Sequence, residues 1–231
     1  PPPEGRVYLR HAPGTVALVG MGPSIQNFMA DTLTQEFRDD FADEIWAINM
    51  ASNLIWHDVV FWMDDLASQQ AFKPPLIAAL AKRGKPVITS IRRPEIVPTS
   101  YDYPIDEIAK LACQVFFKPY LNNGVAMAIA YAMWKGVKTL KIYGADFTYP
   151  NRDFAESGRA CVESWITYAV IKGMNIALCP GTSLMDTVAD HGVYGYAEQP
   201  TIYMPGMIAQ YKRATATGQP GKYVHVPHVA V

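Results

Sequence analysis

The chain has 231 residues, half of them hydrophobic and 18% charged, with 20 Lys and Arg against 21 Asp and Glu. So apolar and weakly charged a sequence buries enough surface to offset its conformational entropy, which excludes disorder over most of its length. Near-zero net charge leaves no strong nucleic-acid footprint, and no apolar stretch reaches the ~20 residues of a membrane span.

The first predicted element is a buried strand, Thr15 to Gly20, running into the turn Gly20-Met21-Gly22-Pro23-Ser24. Similar β-branched apolar runs follow at 44–50, 59–63, 86–91, 139–144 and 175–179, with a weaker candidate at Gln114 to Phe117. Helical segments separate them: 24–37, 66–83 with a break at Pro74-Pro75, 105–112, 123–135 and 158–172. This alternation predicts an α/β fold, a single Rossmann-like domain whose mostly parallel twisted sheet carries helices on both faces. The helix 123–135 is apolar nearly all round and rich in alanine, so it should pack closely on the sheet. The predicted boundaries are an N-terminal extension over 1–14, the domain over 15–197 and an irregular C-terminal arm over 198–231. Such an arm could wrap the domain, close over a ligand or contact a second subunit, and a homo-oligomer is one reading of it. Cys113, Cys161 and Cys179 have neither zinc-ribbon nor CxxC spacing, and an odd count without a secretion signal points to a reducing, cytoplasmic compartment.

Open parallel sheets bind ligands beyond the carboxyl ends of their strands. Gly20 and Gly22 let backbone approach a ligand there, and Pro23 at a helix start leaves N–H groups, with Ser24, suited to a phosphate. Asn49, with Ser52 and Asn53, could bond a base or ribose. Asp64-Asp65 ends the third strand and could bind a divalent metal, bind ribose hydroxyls or serve acid/base chemistry; for Asp65 a helix N-cap is the competing reading. Ser90 and Arg92-Arg93 end the fourth strand. Asn123-Gly124 opens the alanine-rich helix, Asp146-Phe147 ends the fifth strand, and Ser183 lies in the loop after the sixth. His57 and His191 could approach the same edge, although a structural role is the simpler reading of each. Arg159 and Glu163, four apart, suit an intrahelical ion pair, and Arg152 and Arg159 could instead hold a pyrophosphate. No GxSxG or HExxH is present. Small-residue loops at three helix starts, with Asp64, Asp65 and Asp146 along one edge, favour a phosphorylated nucleotide.

The block Asn123-Gly124-Val125-Ala126-Met127, followed by Gly136-Val137-Lys138 and Tyr143-Gly144-Ala145-Asp146-Phe147, resembles the centre of the bacterial GT-A-like sialyltransferases. It also resembles a related, often phage-encoded family of 6-hydroxymethylpterin pyrophosphokinase-like proteins. Gly20-Met21-Gly22-Pro23-Ser24 is similar to their G-x-G-P-S loop, and Cys179-Pro180-Gly181-Thr182-Ser183-Leu184 to the sialyltransferase C-P-x-S-L stretch. The resemblance covers roughly residues 15 to 190. It implies that Gly20, Gly22, Pro23 and Ser24 line the nucleotide phosphate, that Asn49 contacts ribose or base, and that Asn123-Gly124 faces the phosphate. Asp146 and Phe147 would border the substrate, with Ser183 near the base. Sialyltransferases of this type use a histidine downstream of G-x-D-F as base; the segment 148–173 contains none, so the role would fall to Glu156, Asp153, Asp64 or His191.

The expected function is a transferase using a nucleotide-activated donor, a CMP- or UDP-linked sugar, on an unknown acceptor. Asp146, Asp64 and Glu156 are its candidate catalytic residues. Asp146→Asn is then expected to abolish turnover with the fold intact. The alternatives are a pyrophosphokinase-like transferase, in which Asp64 and Asp65, with Asp146, hold Mg²⁺ on ATP, and a nucleotide-binding or structural module without turnover.

Overall fold

A computed structural model of the chain describes residues 12–33 and 41–186 and the backbone of 224–225. Most of the expected N-terminal extension, His191 and nearly all of the expected C-terminal arm lie outside these residues. The strands are β1 (Thr15–Val19), β2 (Glu44–Ile48), β3 (Val59–Trp62), β4 (Val87–Thr89), β5 (Ser100–Asp102), β6 (Thr139–Tyr143), β7 (Asn175–Leu178) and β8 (Val224–His225). The helices are α1 (Ile25–Thr32), α2 (Leu66–Phe72), α3 (Pro74–Arg83), α4 (Ile105–Phe116), α5 (Gly124–Lys135) and α6 (Arg152–Ile171), with a 3₁₀ turn over Asn49–Asn53.

The sheet order is β5-β4-β3-β2-β1-β6-β7-β8. The first seven strands run parallel, and β8 pairs antiparallel with β7. A Rossmann-like α/β architecture is thus present, and two residues of the expected irregular arm extend its sheet. Alternate residues of each strand face opposite layers. Val16, Leu18, Trp46, Ile48, Phe61 and Ile142 pack with α4, α5 and α6. Ala17, Val19, Ile45 and Tyr143 meet Ile25 and Phe28 of α1, while Val60, Trp62 and Val87 meet Leu66, Ile77 and Leu80 of α2 and α3. Burial on both faces is why the strands read as continuous apolar runs.

Two predicted elements differ. Gln114–Phe117 is not a strand: residues 114–116 close α4, where Ile108, Ala112 and Phe116 recur at helical spacing and Phe116 packs edge-on against Tyr120, Trp165 and Tyr168. Besides β8, the additional strand is β5, an edge element of three residues between Pro98 and Pro104 that presents no apolar run to find. Helix α6 also begins at Arg152, ahead of the expected Gly158, because Asn151 caps it by accepting from the Phe154 N–H at 3.0 Å.

The chain adds β2 to β5 on one side of β1 and then returns to place β6 on the other side. The connection therefore reverses direction between β1 and β6, and such reversals open a crevice at the carboxyl edge.

Candidate functional site

The carboxyl ends of β1 and β6 meet so closely that only glycine fits. A Cβ on Gly20 would lie 2.4 Å from the Gly144 carbonyl oxygen, and one on Gly144 would lie 2.3 Å from that of Gly20. Gly144 has φ +63, a left-handed conformation that glycine adopts at little cost. Gly22 donates its N–H to the Gly144 carbonyl at 2.8 Å, and a Cβ there would meet Asp146 Oδ2 at 2.5 Å.

Asp146 ties the two loops together. Its Oδ2 accepts from the Ser24 N–H and its Oδ1 from the Ser24 hydroxyl, both at 2.6 Å. Ser24 Oγ in turn accepts from the Gly144 N–H at 2.9 Å. Asp146 is 3% exposed and Ser24 4%, so this carboxylate is buried and both its oxygens are engaged. Ser183 donates its hydroxyl to the Asp146 carbonyl, and Asn27 donates to the Pro180 carbonyl at 2.8 Å. The loops after β1, β6 and β7 thus form one hydrogen-bonded unit.

The N–H groups expected to be open after Pro23 are taken within that unit. Ser24 donates to Asp146, Ile25 to the Gly22 carbonyl, Gln26 to Pro23 and Asn27 to Ser24. The tight turn that Gly22 permits folds these donors inward, so the first turn of α1 offers a phosphate far less than its sequence suggests.

Helix α5 differs. Asn123 is its N-cap, accepting from the Ala126 N–H at 2.9 Å, and the Asn123 carbonyl takes the Met127 N–H. The N–H groups of Gly124 and Val125 have no acceptor among the described residues. A Cβ on Gly124 would touch Ile48 at 3.5 Å and Met63 at 4.0 Å, which places this helix start over the ends of β2 and β3. Asn123 also donates to the Gly158 carbonyl at 3.0 Å. Gly158 admits the Phe147 ring, which would lie 2.7 Å from a Cβ. Phe147, itself at φ 48, begins an aromatic row continuing through Tyr149 to the exposed Phe154.

Five buried side-chain polar atoms lack a hydrogen-bond partner among the described residues: Asn49 Oδ1, His57 Nε2, Trp62 Nε1, Thr89 Oγ1 and Arg92 Nε. Four of them sit at the carboxyl ends of β2, β3 and β4, where Trp62 and Thr89 are register partners. Buried polar groups are normally paired, because leaving one bare costs about 1–3 kcal/mol. Asn49 also holds φ 48, unusual for a residue with a side chain. Trp62, 2% exposed, packs with α2 and α3, and Thr89, 0% exposed, shares the face of Val87, whereas Ile48, which precedes Asn49, lies against the start of α5. Sequence reasoning reached Asn49 and the Arg92 loop but missed Trp62 and Thr89, whose apolar or neutral strand context carries no signal.

Asp65 caps α2, accepting from the N–H groups of Ala67 at 3.4 Å and Ser68 at 3.2 Å and from the Ser68 hydroxyl at 2.9 Å. Arg93 Nε joins it at 3.4 Å. The bonds from Ser68 lead in holding its carboxyl below the usual range. Asp64, Ser90, Pro23 and Glu156 are exposed. Among the described residues, no group of three or more His, Cys, Asp and Glu is placed to hold a metal ion. The Arg159 and Glu163 side chains serve the loop after β7 instead of each other: Arg159 donates to the Ser183 carbonyl at 3.4 Å and Glu163 accepts from the Met185 N–H at 2.8 Å. His57 lies away from this edge, in the connection entering β3. All three cysteines are free, Cys161 and Cys179 buried and Cys113 exposed, and no helix among the described residues is long and apolar enough to cross a membrane.

No family model and no curated protein matches the chain. Among solved structures it is similar to the sialyltransferase CstII from Campylobacter jejuni, studied in complex with the substrate analogue CMP-3FNeuAc. That likeness has 14% identity and a TM-score of 0.45, and covers 71% of this chain and 79% of that one.

Proposed function

We propose that the protein is a transferase acting on a nucleotide-activated donor, a glycosyltransferase using a CMP- or UDP-linked sugar. The observation that carries this reading is the unmet Asn49 Oδ1 at the carboxyl end of β2, beside the open N–H groups of Gly124 and Val125 at the start of α5. Asn49 Oδ1 suits a ribose hydroxyl or base amino donor. The start of α5 suits the phosphate whose negative charge grows as the sugar departs, since helix N-termini present N–H dipoles to anions. Gly20, Gly22, Pro23 and Ser24 shape the floor of the donor site, and Ser90 and Ser183 flank it.

Asp146 is a positioning residue in this scheme, since its buried oxygens are held by Ser24. The acceptor's proton goes to an exposed carboxylate at the same edge. We assign that role to Glu156, near the start of α6 and beside the turn against which Phe147 packs, ahead of Asp64 after β3. The aromatic row from Phe147 borders the acceptor. With Asp65 committed to capping α2, no observation favours a metal held by Asp64 and Asp65.

Thermal shift with CMP, UDP, GDP, ADP and ATP, each with and without Mg²⁺, tests the reading, because a ligand that binds only the folded state raises the apparent stability. CMP or UDP should stabilise without metal. Stabilisation by ATP only with Mg²⁺ would transfer the proposal to phosphoryl chemistry, and no shift with any nucleotide would end it.

A further inference from the structure

Helix α4 runs back from the carboxyl end of β5, and α6 leads into the amino end of β7. Their C-terminal ends meet at the amino edge of the sheet, on the side away from the crevice. Aromatic rings fix the junction: Phe116 packs edge-on against Tyr120, Trp165 and Tyr168 at centroid distances of 5.6, 5.1 and 6.2 Å. Trp165 Nε1 also donates to the Tyr120 carbonyl at 2.6 Å.

The next residue, Phe117, does nothing for the fold. It closes α4 in the left-handed conformation, φ 61, where α3 and α5 each close on a glycine, Gly84 and Gly136. A side chain there crowds its own backbone, and burial returns nothing, because Phe117 is 94% exposed. Ile171, three residues beyond Tyr168 on the same helix face, is 74% exposed. Lys118 and Lys172 stand over the rings of Tyr120 and Tyr168, with Nζ 5.1 and 5.5 Å from the centroids. Both ammonium groups are thus held against the ring cluster beside Phe117. Neither forms an ion pair among the described residues, and the segments 113–122 and 164–175 contain no Asp or Glu.

We propose that this corner docks on an anionic membrane surface, with Phe117 and Ile171 entering the headgroup layer and Lys118 and Lys172 meeting the lipid phosphates and carboxylates. Charge selects the occupant. A second copy seated symmetrically on the same corner would set lysines against lysines, with no carboxylate in either segment to separate them. Standing almost clear of the protein, Phe117 has no pocket walls of its own and suits a fluid layer that closes around it. Aromatic rings and lysine stems both settle between acyl chains and headgroups. Docked this way, the carboxyl edge of the sheet points away from the bilayer, so the anchor acts independently of what the crevice binds.

The test is cosedimentation of the full chain with vesicles of equimolar phosphatidylcholine and phosphatidylserine, and with vesicles of phosphatidylcholine alone. The chain should partition onto the anionic vesicles in preference to the neutral ones. Lys118→Gln/Lys172→Gln should weaken that partitioning by at least about tenfold, since each lysine at an anionic surface contributes roughly a factor of five. Phe117→Gly should weaken it severalfold while raising the urea midpoint, because it removes an exposed side chain and relieves the left-handed backbone. A lower midpoint with unchanged partitioning is what a structural role predicts, and would overturn the proposal. Equal binding to the two vesicles, or none to either, would overturn it too, as would undiminished partitioning in the lysine variant. Dimerisation in sedimentation velocity that Phe117→Gly abolishes, without any vesicle binding, would assign the corner to a second copy instead.

Discussion

Ser24 and Asp146, 122 residues apart in sequence, are joined by two hydrogen bonds of 2.6 Å, one from the serine N–H and one from its hydroxyl. The pair closes the seam at which the sheet reverses direction. A G-x-G-P-S turn and a G-x-D-F strand end, each unremarkable alone, are therefore two halves of one structural unit. Asp146→Asn replaces one acceptor oxygen with a donor facing a hydroxyl that already accepts from the Gly144 N–H. It should cost about 1–3 kcal/mol, read as a lower midpoint in urea unfolding. The substitution is thus expected to weaken the fold, contrary to what the sequence implies. Ser24→Ala should cost a similar amount, and the double variant less than the sum because both remove one interaction. Strict additivity would show that the two side chains act separately.

Gly20 and Gly22 should rank in a definite order. Gly20→Ala drives a methyl against the backbone carbonyl of Gly144 at 2.4 Å, where neither partner can yield without separating β1 from β6. Gly22→Ala instead meets an Asp146 oxygen at 2.5 Å and the Gly144 carbonyl at 2.9 Å, and a small shift of the carboxylate relieves part of the clash. Overpacking usually costs about 1–3 kcal/mol, and Gly20→Ala should lie at or beyond the upper end. Equal chemical-denaturation midpoints for the two variants would contradict this account.

Asn49 separates ligand binding from stability. Asn49→Gly removes an acceptor that has no partner and relaxes a left-handed backbone, while adding chain entropy to the unfolded state. These effects oppose one another, so the melting temperature without ligand should change by less than the equivalent of about 1 kcal/mol. The stabilisation by CMP or UDP should be lost. Retention of the full nucleotide shift would remove Asn49 from the site.

His57 gives stability a pH dependence of known sign. Its folded pKa lies below the ordinary value of 6.5, chiefly through burial, so the unfolded chain binds more protons just below pH 6.5. Stability contributed by the neutral imidazole is then present above 6.5 and is lost as pH falls toward the folded pKa, with a slope of at most about 1.4 kcal/mol per pH unit. Urea midpoints followed through this window should fall on acidification, and His57→Gln should flatten the curve. A wild-type midpoint independent of pH there would contradict the burial of a neutral ring.

The fold was legible wherever burial was two-sided. Thr15–Val19, Glu44–Ile48 and Thr139–Tyr143 are apolar but for their first residues and Lys141 because helices cover both faces of the sheet, and their composition announces them. Ser100–Asp102 escaped because a short edge strand needs no apolar run. Gln114–Phe117 misled because an amphipathic helix end can place two aromatics in succession. At the site, Gly20, Gly22 and Asp146 are readable as a ligand-edge pattern, yet the number of free donors near Pro23 is not, since it depends on how tightly the turn folds back. The bare atoms of Trp62 and Thr89 depend on which neighbours packing supplies, and no local pattern encodes that.

The helix that presents the Gly124 and Val125 N–H groups is also the most enclosed among the described residues. Ala126, Ala128, Ile129, Ala130, Tyr131 and Ala132 are all fully buried. Alanine leaves no long side chain to reorient, so the rod cannot swing or slide without tearing the core beneath it. The phosphate of the proposed donor would therefore meet dipoles already aimed and would spend almost none of its binding energy on setting them in place. Affinity at this position should consequently respond to the packing along the far end of the rod, many ångströms from any atom the ligand touches.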